Sequence, residues 1–143
     1  MNPVLSVTVS LSAVPISVIV HEAGHALMAL ALGAKGVRVE IRRWKFATHL
    51  GAQEIRRSAL LAIILAGPGV NLLAGALSAY ALLLTWRVEV FVWTLVNIGM
   101  FVGNLVPFKT SDGQMLLDLF RAEGGPSTSK EGLGDQHHTR GQP

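Results

Sequence analysis

The chain has 143 residues, of which 50% are hydrophobic and 15% are charged, and its mean hydropathy is +0.46. This composition is typical of a small integral membrane protein with one domain. The absence of cysteine excludes disulfides, thiolate metal ligands and cysteine nucleophiles. The net charge of +3 does not indicate a nucleic-acid partner, because the basic residues lie between apolar stretches, where membrane topology requires them.

The first apolar stretch covers about residues 4–32 and predicts a membrane-spanning helix. Residues 15–32 have a helix-forming composition, and Gly33 is suited to end the helix. Residues 4–14 leave strand and helix open, because apolar and hydroxyl side chains alternate there with the period of a strand. No basic segment precedes the apolar run, so a cleaved signal peptide is not expected.

The sequence His-Glu-Ala-Gly-His interrupts this apolar stretch at residues 21–25. In a helix, His21 and His25 share one face a turn apart, and two imidazoles so placed can bind one metal ion. Glu22 lies about 100° round the helix, where it can act on a water at the metal without being a ligand. Either histidine alone could be a hydrogen-bonded core residue. Ionisable groups are costly in hydrocarbon, and this cluster therefore favours a metal site.

A basic segment, residues 33–57, follows and carries seven positive and two negative side chains. Val37, Val39 and Ile41 alternate with charged residues, which predicts an exposed strand. The segment is expected to form a short strand pair or a strand with an irregular return. A solvated basic loop is the alternative.

Residues 58–86 contain no charged side chain and predict a second membrane-spanning helix. Gly67, Pro68 and Gly69 interrupt it, and Asn71 places a polar amide at membrane depth. This segment alone leaves two interpretations open, a packing kink with an interhelical hydrogen bond or a catalytic role for Asn71.

A third membrane-spanning helix is expected within the uncharged residues 90–108, after a short polar turn at Arg87 and Glu89. A short amphipathic helix is expected at residues 114–121. The predicted fold is therefore mainly α, with about three membrane-spanning helices and a short strand region between the first two.

The C-terminal segment, residues 122–143, is rich in glycine, serine, proline and charge, and its composition predicts a disordered tail. His137 and His138 lie in this tail, and we expect them to be solvated. Residues 1–121 are expected to form a single membrane-embedded core.

The distribution of positive charge predicts the orientation in the membrane. Residues 33–57 and the C-terminal stretch carry most of the basic side chains and should face the cytoplasm, whereas the turn at Arg87 should face outward. The N-terminus is then outside and the C-terminus cytoplasmic. His21 and His25 lie in the cytoplasmic half of the first helix, and Asp112 lies just beyond the cytoplasmic end of the third.

A catalytic zinc commonly has three protein ligands and one open position. The candidates for a third ligand, apart from the tail, are Glu40, His49, Glu54, Glu89, Asp112 and Asp118. Glu89 is expected on the other side of the membrane, and the acidic residues of the basic segment more simply form ion pairs. Asp112 directly follows a membrane span between Pro107 and Gly113, and it is the best candidate.

Three motifs in chain order resemble those of the site-2 protease family of intramembrane zinc metalloproteases. Residues 21–25 look like its HExxH helix, and residues 67–71 resemble its middle-helix signature. Residues 104–113 match its NxxPxxxxDG motif at every specified position. The motif residues are His21, Glu22, His25, Gly67, Pro68, Asn71, Asn104, Pro107, Asp112 and Gly113.

The resemblance implies a minimal three-helix core that cleaves peptide bonds in or near the transmembrane segments of substrate proteins. It implies that His21, His25 and Asp112 bind one zinc ion, and that Glu22 is the general base for the attacking water and then the proton donor to the leaving amine. Asn71 would position substrate or stabilise the oxyanion. The basic strand region would pair with an extended substrate.

Two other functions stay open, a catalytically weak homologue that acts as a membrane binding or scaffold protein, and a metal transporter. A transport path should carry polar groups along its depth, whereas the ionisable groups of this chain gather at one end. The expected partners are a lipid bilayer and a membrane-protein substrate, without nucleic acid and with the oligomeric state left open. The small size indicates a prokaryotic plasma membrane.

Overall fold

The computed structural model describes residues 2–42, 45–49 and 55–124 of the chain. The described residues form four helices and one pair of strands. In chain order these are α1 (Pro3–Ala31), β1 (Arg38–Arg42), β2 (Lys45–His49), α2 (Arg57–Thr85), α3 (Val88–Leu105) and α4 (Asp112–Gly124). The predicted disordered tail lies outside the described residues, except for residues 122–124, which end α4.

The first helix includes the segment whose pattern left strand and helix open. α1 begins at Pro3, with the Asn2 side chain accepting a hydrogen bond from the Val4 amide at 2.9 Å. Two of the hydroxyl groups that gave the strand-like alternation donate to carbonyls of the same helix. Thr8 donates to Val4 at 2.9 Å and Ser12 to the carbonyl of residue 9 at 2.8 Å. A helix can thus satisfy hydroxyl groups of this kind by itself, so the alternation does not require a sheet.

Three of the helices are long and apolar enough to cross a membrane, as predicted. α1 and α2 have 29 residues each and α3 has 18, against about 20 residues needed for the hydrocarbon core of a bilayer. In the most apolar 18-residue stretch of α1, α2 and α3, only 11%, 33% and 11% of the residues, respectively, are buried inside the protein. Apolar surface on this scale is not stable in water, and it indicates a membrane protein.

Helices α1 and α2 are antiparallel and in close contact. His25 contacts the Ile63 carbonyl and His21 contacts Asn71, so residue numbers rise along α1 as they fall along α2. A Cβ atom added to Gly24 would lie 2.9 Å from a backbone oxygen of α2. Glycine at this position therefore permits the close approach of the two backbones.

Helix α3 runs parallel to α1 and is bonded to it near the N-termini of both helices. Ser6 Oγ donates to Glu89 Oε1 at 2.6 Å, and Trp93 Nε1 donates to the Val9 carbonyl at 3.1 Å. Glu89 is buried, with 6% of its surface exposed. These contacts lie at the end of the helices far from His21, on the side where the sequence predicted Glu89 to lie.

The strand pair predicted within the basic segment is present. β1 and β2 are antiparallel, with Arg38 opposite His49 and Arg42 opposite Lys45. Gly33 follows the end of α1 with a φ of +79°, a conformation that glycine adopts without strain. β2 packs against α1, and its Thr48 contacts Glu22, so the strand pair lies at the half of α1 that carries the histidines.

Helix α4 is two residues longer at its start than the predicted 114–121 and three residues longer at its end. It packs against α2 and α3. Arg57 Nη2 donates to the Leu119 carbonyl at 2.8 Å, and its guanidinium lies 5.8 Å from the centroid of the Phe120 ring. The early start follows from Ser111, whose hydroxyl oxygen accepts a hydrogen bond from the Gln114 amide at 3.1 Å and caps the helix that begins at Asp112.

Candidate metal centre

Helix α1 contributes two histidines on its buried face. Ser17, His21 and His25 are spaced four residues apart, and all three are buried, with 1%, 5% and 8% of their surfaces exposed. Glu22 lies beside this stripe and is only partly buried. The helix period thus directs both imidazoles toward α2 while the glutamate faces a different side.

Helix α2 provides the surface against which the imidazoles lie. Gly67 and Asn71 are one turn apart and face His25 and His21 respectively. A Cβ atom added to Gly67 would lie 2.3 Å from His25 Nε2. Asn71 is 0% exposed, and its Nδ2 lies 3.1 Å from His21 Nδ1. Gly67 therefore leaves the space that the His25 ring occupies, and Asn71 contacts the other ring.

Asp112 is the first residue of α4, and it reaches the histidines from the end of the loop that joins α3 to α4. The Ser111 hydroxyl bridges this loop by donating to the Val106 carbonyl at 2.7 Å. A Cβ atom added to Gly113 would lie 2.1 Å from the Leu105 carbonyl oxygen, so glycine is needed where α4 starts against the end of α3. The close approach of Gly113 to the Leu105 backbone explains why the residue directly after Asp112 is a glycine.

The side chains of His21, His25 and Asp112 converge on one point. The Nε2 atoms of His21 and His25 lie 3.1 Å apart. Asp112 Oδ2 is 3.1 Å from His21 Nε2, and Oδ1 is 3.4 Å from His25 Nε2. Ligand atoms around a tetrahedral zinc are about 3.3 Å apart, given bonds of about 2.0–2.1 Å. The three side chains are thus spaced as ligands of one ion, and they can bind a metal.

Two further observations fit a cation at this point. Asp112 Oδ2 is buried, and its one polar neighbour among the described residues is His21 Nε2, at 3.1 Å. Burial favours the neutral carboxyl, but the neighbouring His21 and His25 rings, when they are protonated, outweigh it through hydrogen bonds and positive charge and lower the pKa of Asp112 to about 2. Asp112 is therefore a carboxylate, which is the form that binds metals.

The tautomer of His25 also suits a ligand. His25 Nδ1 lies 2.7 Å from the Ile63 carbonyl oxygen. A carbonyl only accepts hydrogen bonds, so Nδ1 carries the hydrogen and donates it. The lone pair of Nε2 then points toward His21 and Asp112. Such a second contact is the usual way in which proteins orient a metal-binding imidazole.

Glu22 is held by a residue that the sequence did not single out. Thr48, in β2, donates from its hydroxyl to Glu22 Oε2 at 3.0 Å and to the Glu22 carbonyl at 3.2 Å. The sequence offers no signal for this contact, because a threonine in an exposed strand has an ordinary strand composition. Only the packing of β2 on α1 brings the hydroxyl to the glutamate.

The other candidates for a third ligand are not part of this group. Glu89 is bonded to Ser6 at the opposite end of the helices, and Asp118 accepts a hydrogen bond from Gln114 at 2.9 Å on an exposed face. His49 is outside the group as well. The Glu40 side chain and Glu54 lie outside the part of the chain that the structure describes.

No protein-family model matches this chain, and no curated protein or solved structure matches it either. The resemblance to site-2 proteases therefore depends on the three motifs alone. The geometry of the metal-binding group is independent of that resemblance, and it is the basis for the function considered next.

Proposed function

We propose that this protein is an intramembrane zinc metalloprotease of the site-2 protease type. The observation that carries the proposal is the convergence of His21, His25 and Asp112 at zinc-ligand spacing, next to Glu22. The two histidines lie within a helix that is long and apolar enough to cross a membrane. Ionisable groups in such a helix are costly, and a catalytic site is one of the few functions that retain them.

Zinc is the proposed metal because of the ligand types. Two imidazoles and one carboxylate are a common set for catalytic zinc, and three protein ligands leave one position open for water or substrate. The bound ion would act as a Lewis acid toward the scissile carbonyl and make water a better nucleophile at neutral pH. Calcium and magnesium prefer sites built from oxygen, which disfavours them at a site with two nitrogen ligands.

Glu22 is the proposed general base and acid. Its carboxylate accepts a proton from the attacking water as the water oxygen bonds to the carbonyl carbon. It then donates that proton to the amide nitrogen as the carbon–nitrogen bond breaks, so the proton leaves on the product amine. The hydrogen bond from Thr48 supports this role, because it restricts the rotation of the carboxylate.

The proposed substrate is a membrane protein, bound in an extended conformation at the strand pair. Among the described residues the sheet has two strands, so one edge of each strand has no strand beside it there, and an extended peptide can add to such an edge through main-chain hydrogen bonds. Thr48 connects β2 to Glu22, so a peptide on β2 would lie near the general base. The oxyanion or substrate contact expected of Asn71 stays a prediction, in competition with its contact to His21.

The proposed location is a prokaryotic plasma membrane, with the metal centre at the cytoplasmic end of the helices and the C-terminus cytoplasmic. The centre lies at the same end as β1 and β2, the two strands of the basic segment. The positive-inside rule assigns that end to the cytoplasm. A reporter fused to the C-terminus tests the orientation, and an external signal would contradict it.

The proposal is tested with detergent-purified protein and a model transmembrane substrate. Wild type is expected to bind zinc and cleave the substrate, and Glu22→Gln is expected to bind zinc without cleaving, because the amide cannot accept the proton. Equal cleavage by both proteins would remove Glu22 from the mechanism. Zinc binding without cleavage by wild type would favour a binding protein, and zinc uptake into vesicles would favour a transporter.

A further inference from the structure

The side chain of Asn71 has an unusual environment. It is fully buried, and its Nδ2 lies 3.1 Å from His21 Nδ1, while its Oδ1 has no hydrogen-bond partner among the described residues. A buried amide oxygen without a partner is rare and costs about 1–3 kcal/mol. The arrangement therefore needs an explanation in terms of what Asn71 does.

His21 can provide only one of its nitrogens to a metal at the centre. Its Nε2 lies among the other ligand atoms, 3.1 Å from both His25 Nε2 and Asp112 Oδ2. If Nε2 provides its lone pair, the ring hydrogen is on Nδ1, and Nδ1 becomes a donor. The amide nitrogen of Asn71 is also a donor, so this orientation of the amide does not suit a metal ligand.

A half turn of the amide removes the conflict. The oxygen and nitrogen of an asparagine amide have nearly the same shape, and their assignment follows from the hydrogen-bond network. After the turn, Oδ1 takes the place of Nδ2 and can accept from His21 Nδ1. The contact distance stays near 3.1 Å, and the oxygen gains a partner, while the amide nitrogen takes the buried position that has none among the described residues.

The environment of His25 supports the same arrangement. Its Nδ1 donates to the Ile63 carbonyl, which leaves Nε2 toward the centre. With the amide turned, both histidines donate from Nδ1 to an oxygen of α2, one to a backbone oxygen and one to a side-chain oxygen. Helix α2 then fixes the same tautomer for both ligands.

We propose that Asn71 is a positioning residue for the metal centre. Its side-chain oxygen accepts a hydrogen bond from His21 Nδ1 and holds His21 in the tautomer whose Nε2 binds the metal. This inference depends on the metal site of the proposed function but not on proteolysis. It differs from the oxyanion role, which would require the amide nitrogen to face the substrate.

Two variants of Asn71 separate these roles. Asn71→Asp keeps an acceptor oxygen, whereas Asn71→Leu has a similar size and no polar atom. Loss of such a hydrogen bond to a ligand typically weakens metal binding about 10- to 100-fold. We expect Asn71→Leu to bind zinc about 10- to 100-fold more weakly than wild type and Asn71→Asp to bind it at least as tightly.

The measurement is zinc affinity in detergent, by competition with a chelator of known affinity, with helical content measured for each protein. If wild type and Asn71→Leu are both helical and bind zinc equally, or if Asn71→Asp binds as weakly as Asn71→Leu, the inference is wrong. An oxyanion role predicts equal zinc affinity for all three proteins. Because cleavage is not measured, this result is independent of whether the protein is a protease.

The tautomer itself gives a second readout that needs no variant. In zinc-loaded wild type labelled with ¹⁵N-histidine, long-range proton–nitrogen spectra should assign the hydrogen of His21 to Nδ1 and the metal to Nε2. A hydrogen on Nε2, or metal bound through Nδ1, would overturn the inference. This measurement decides the matter if Asn71→Leu does not fold.

Discussion

Replacement of Gly67 by alanine tests the geometry of the metal centre most sharply. The added Cβ atom would lie 2.3 Å from His25 Nε2, 2.6 Å from Cε1 and 2.8 Å from Cδ2. Ordinary contact begins near 3.4 Å, so the imidazole must move by about 1 Å. A metal–nitrogen bond of about 2.0–2.1 Å tolerates deviations of about 0.2 Å, and the shift therefore removes His25 as a ligand.

Two effects of Gly67→Ala are expected. Loss of a direct ligand should cost at least as much as loss of a hydrogen bond to a ligand, so zinc affinity should fall by more than about 100-fold. The overpacked contact between α1 and α2 should also lower the free energy of unfolding by about 1–3 kcal/mol. The assays are chelator competition for zinc affinity and thermal unfolding of the metal-free protein in detergent.

The matched control is Gly69→Ala, two residues along the same helix. A Cβ atom at Gly69 meets nothing within 4 Å, and the position is exposed. This variant should keep wild-type zinc affinity and gain up to about 1 kcal/mol from better helix propensity. If Gly67→Ala and Gly69→Ala bind zinc with affinities within about threefold of each other, the proposed contact of Gly67 with His25 is refuted.

Two further variants test the surroundings of the site. Thr48→Val removes the hydroxyl that bonds to Glu22, so kcat for a model substrate should fall about tenfold at unchanged zinc affinity. Thr48→Ser keeps a hydroxyl and should restore much of the lost kcat. A wild-type kcat for Thr48→Val would exclude a positioning role for Thr48. Ser6→Ala removes the hydrogen-bond donor to the buried Glu89, at the opposite end of the helices from the metal centre. The midpoint of thermal unfolding should fall by a few degrees while zinc affinity is unchanged. A loss of zinc binding would contradict the separation of Glu89 from the metal centre.

The three membrane-spanning helices and the strand pair were predictable because both depend on local composition and period. Long uncharged stretches indicate spans, and the alternation in the basic segment indicates a strand. Residues 4–14 stayed ambiguous because their hydroxyl groups have two ways to be satisfied. Thr8 and Ser12 donate to carbonyls within α1. The alternation of apolar and hydroxyl side chains does not show whether the hydroxyl groups bond within a helix or face outward from a strand.

The grouping of the site residues was predictable in part. The i, i+4 spacing placed His21 and His25 on one face, and charge topology placed Asp112 at the same end. The structure brings these three residues together. The contacts of Gly67 with His25 and of Thr48 with Glu22 depend on how α2 and β2 pack against α1, and no local pattern in the sequence records that packing.

The central claim is that Asp112 completes a metal centre with the two histidines, and the zinc content of purified Asp112→Ala tests it most directly. Asp118→Ala is the matched control, because Asp118 lies on an exposed face of the same helix. We expect about one zinc per chain in wild type and in Asp118→Ala, and little zinc in Asp112→Ala at the same free zinc concentration. Equal zinc in wild type and Asp112→Ala would contradict the account.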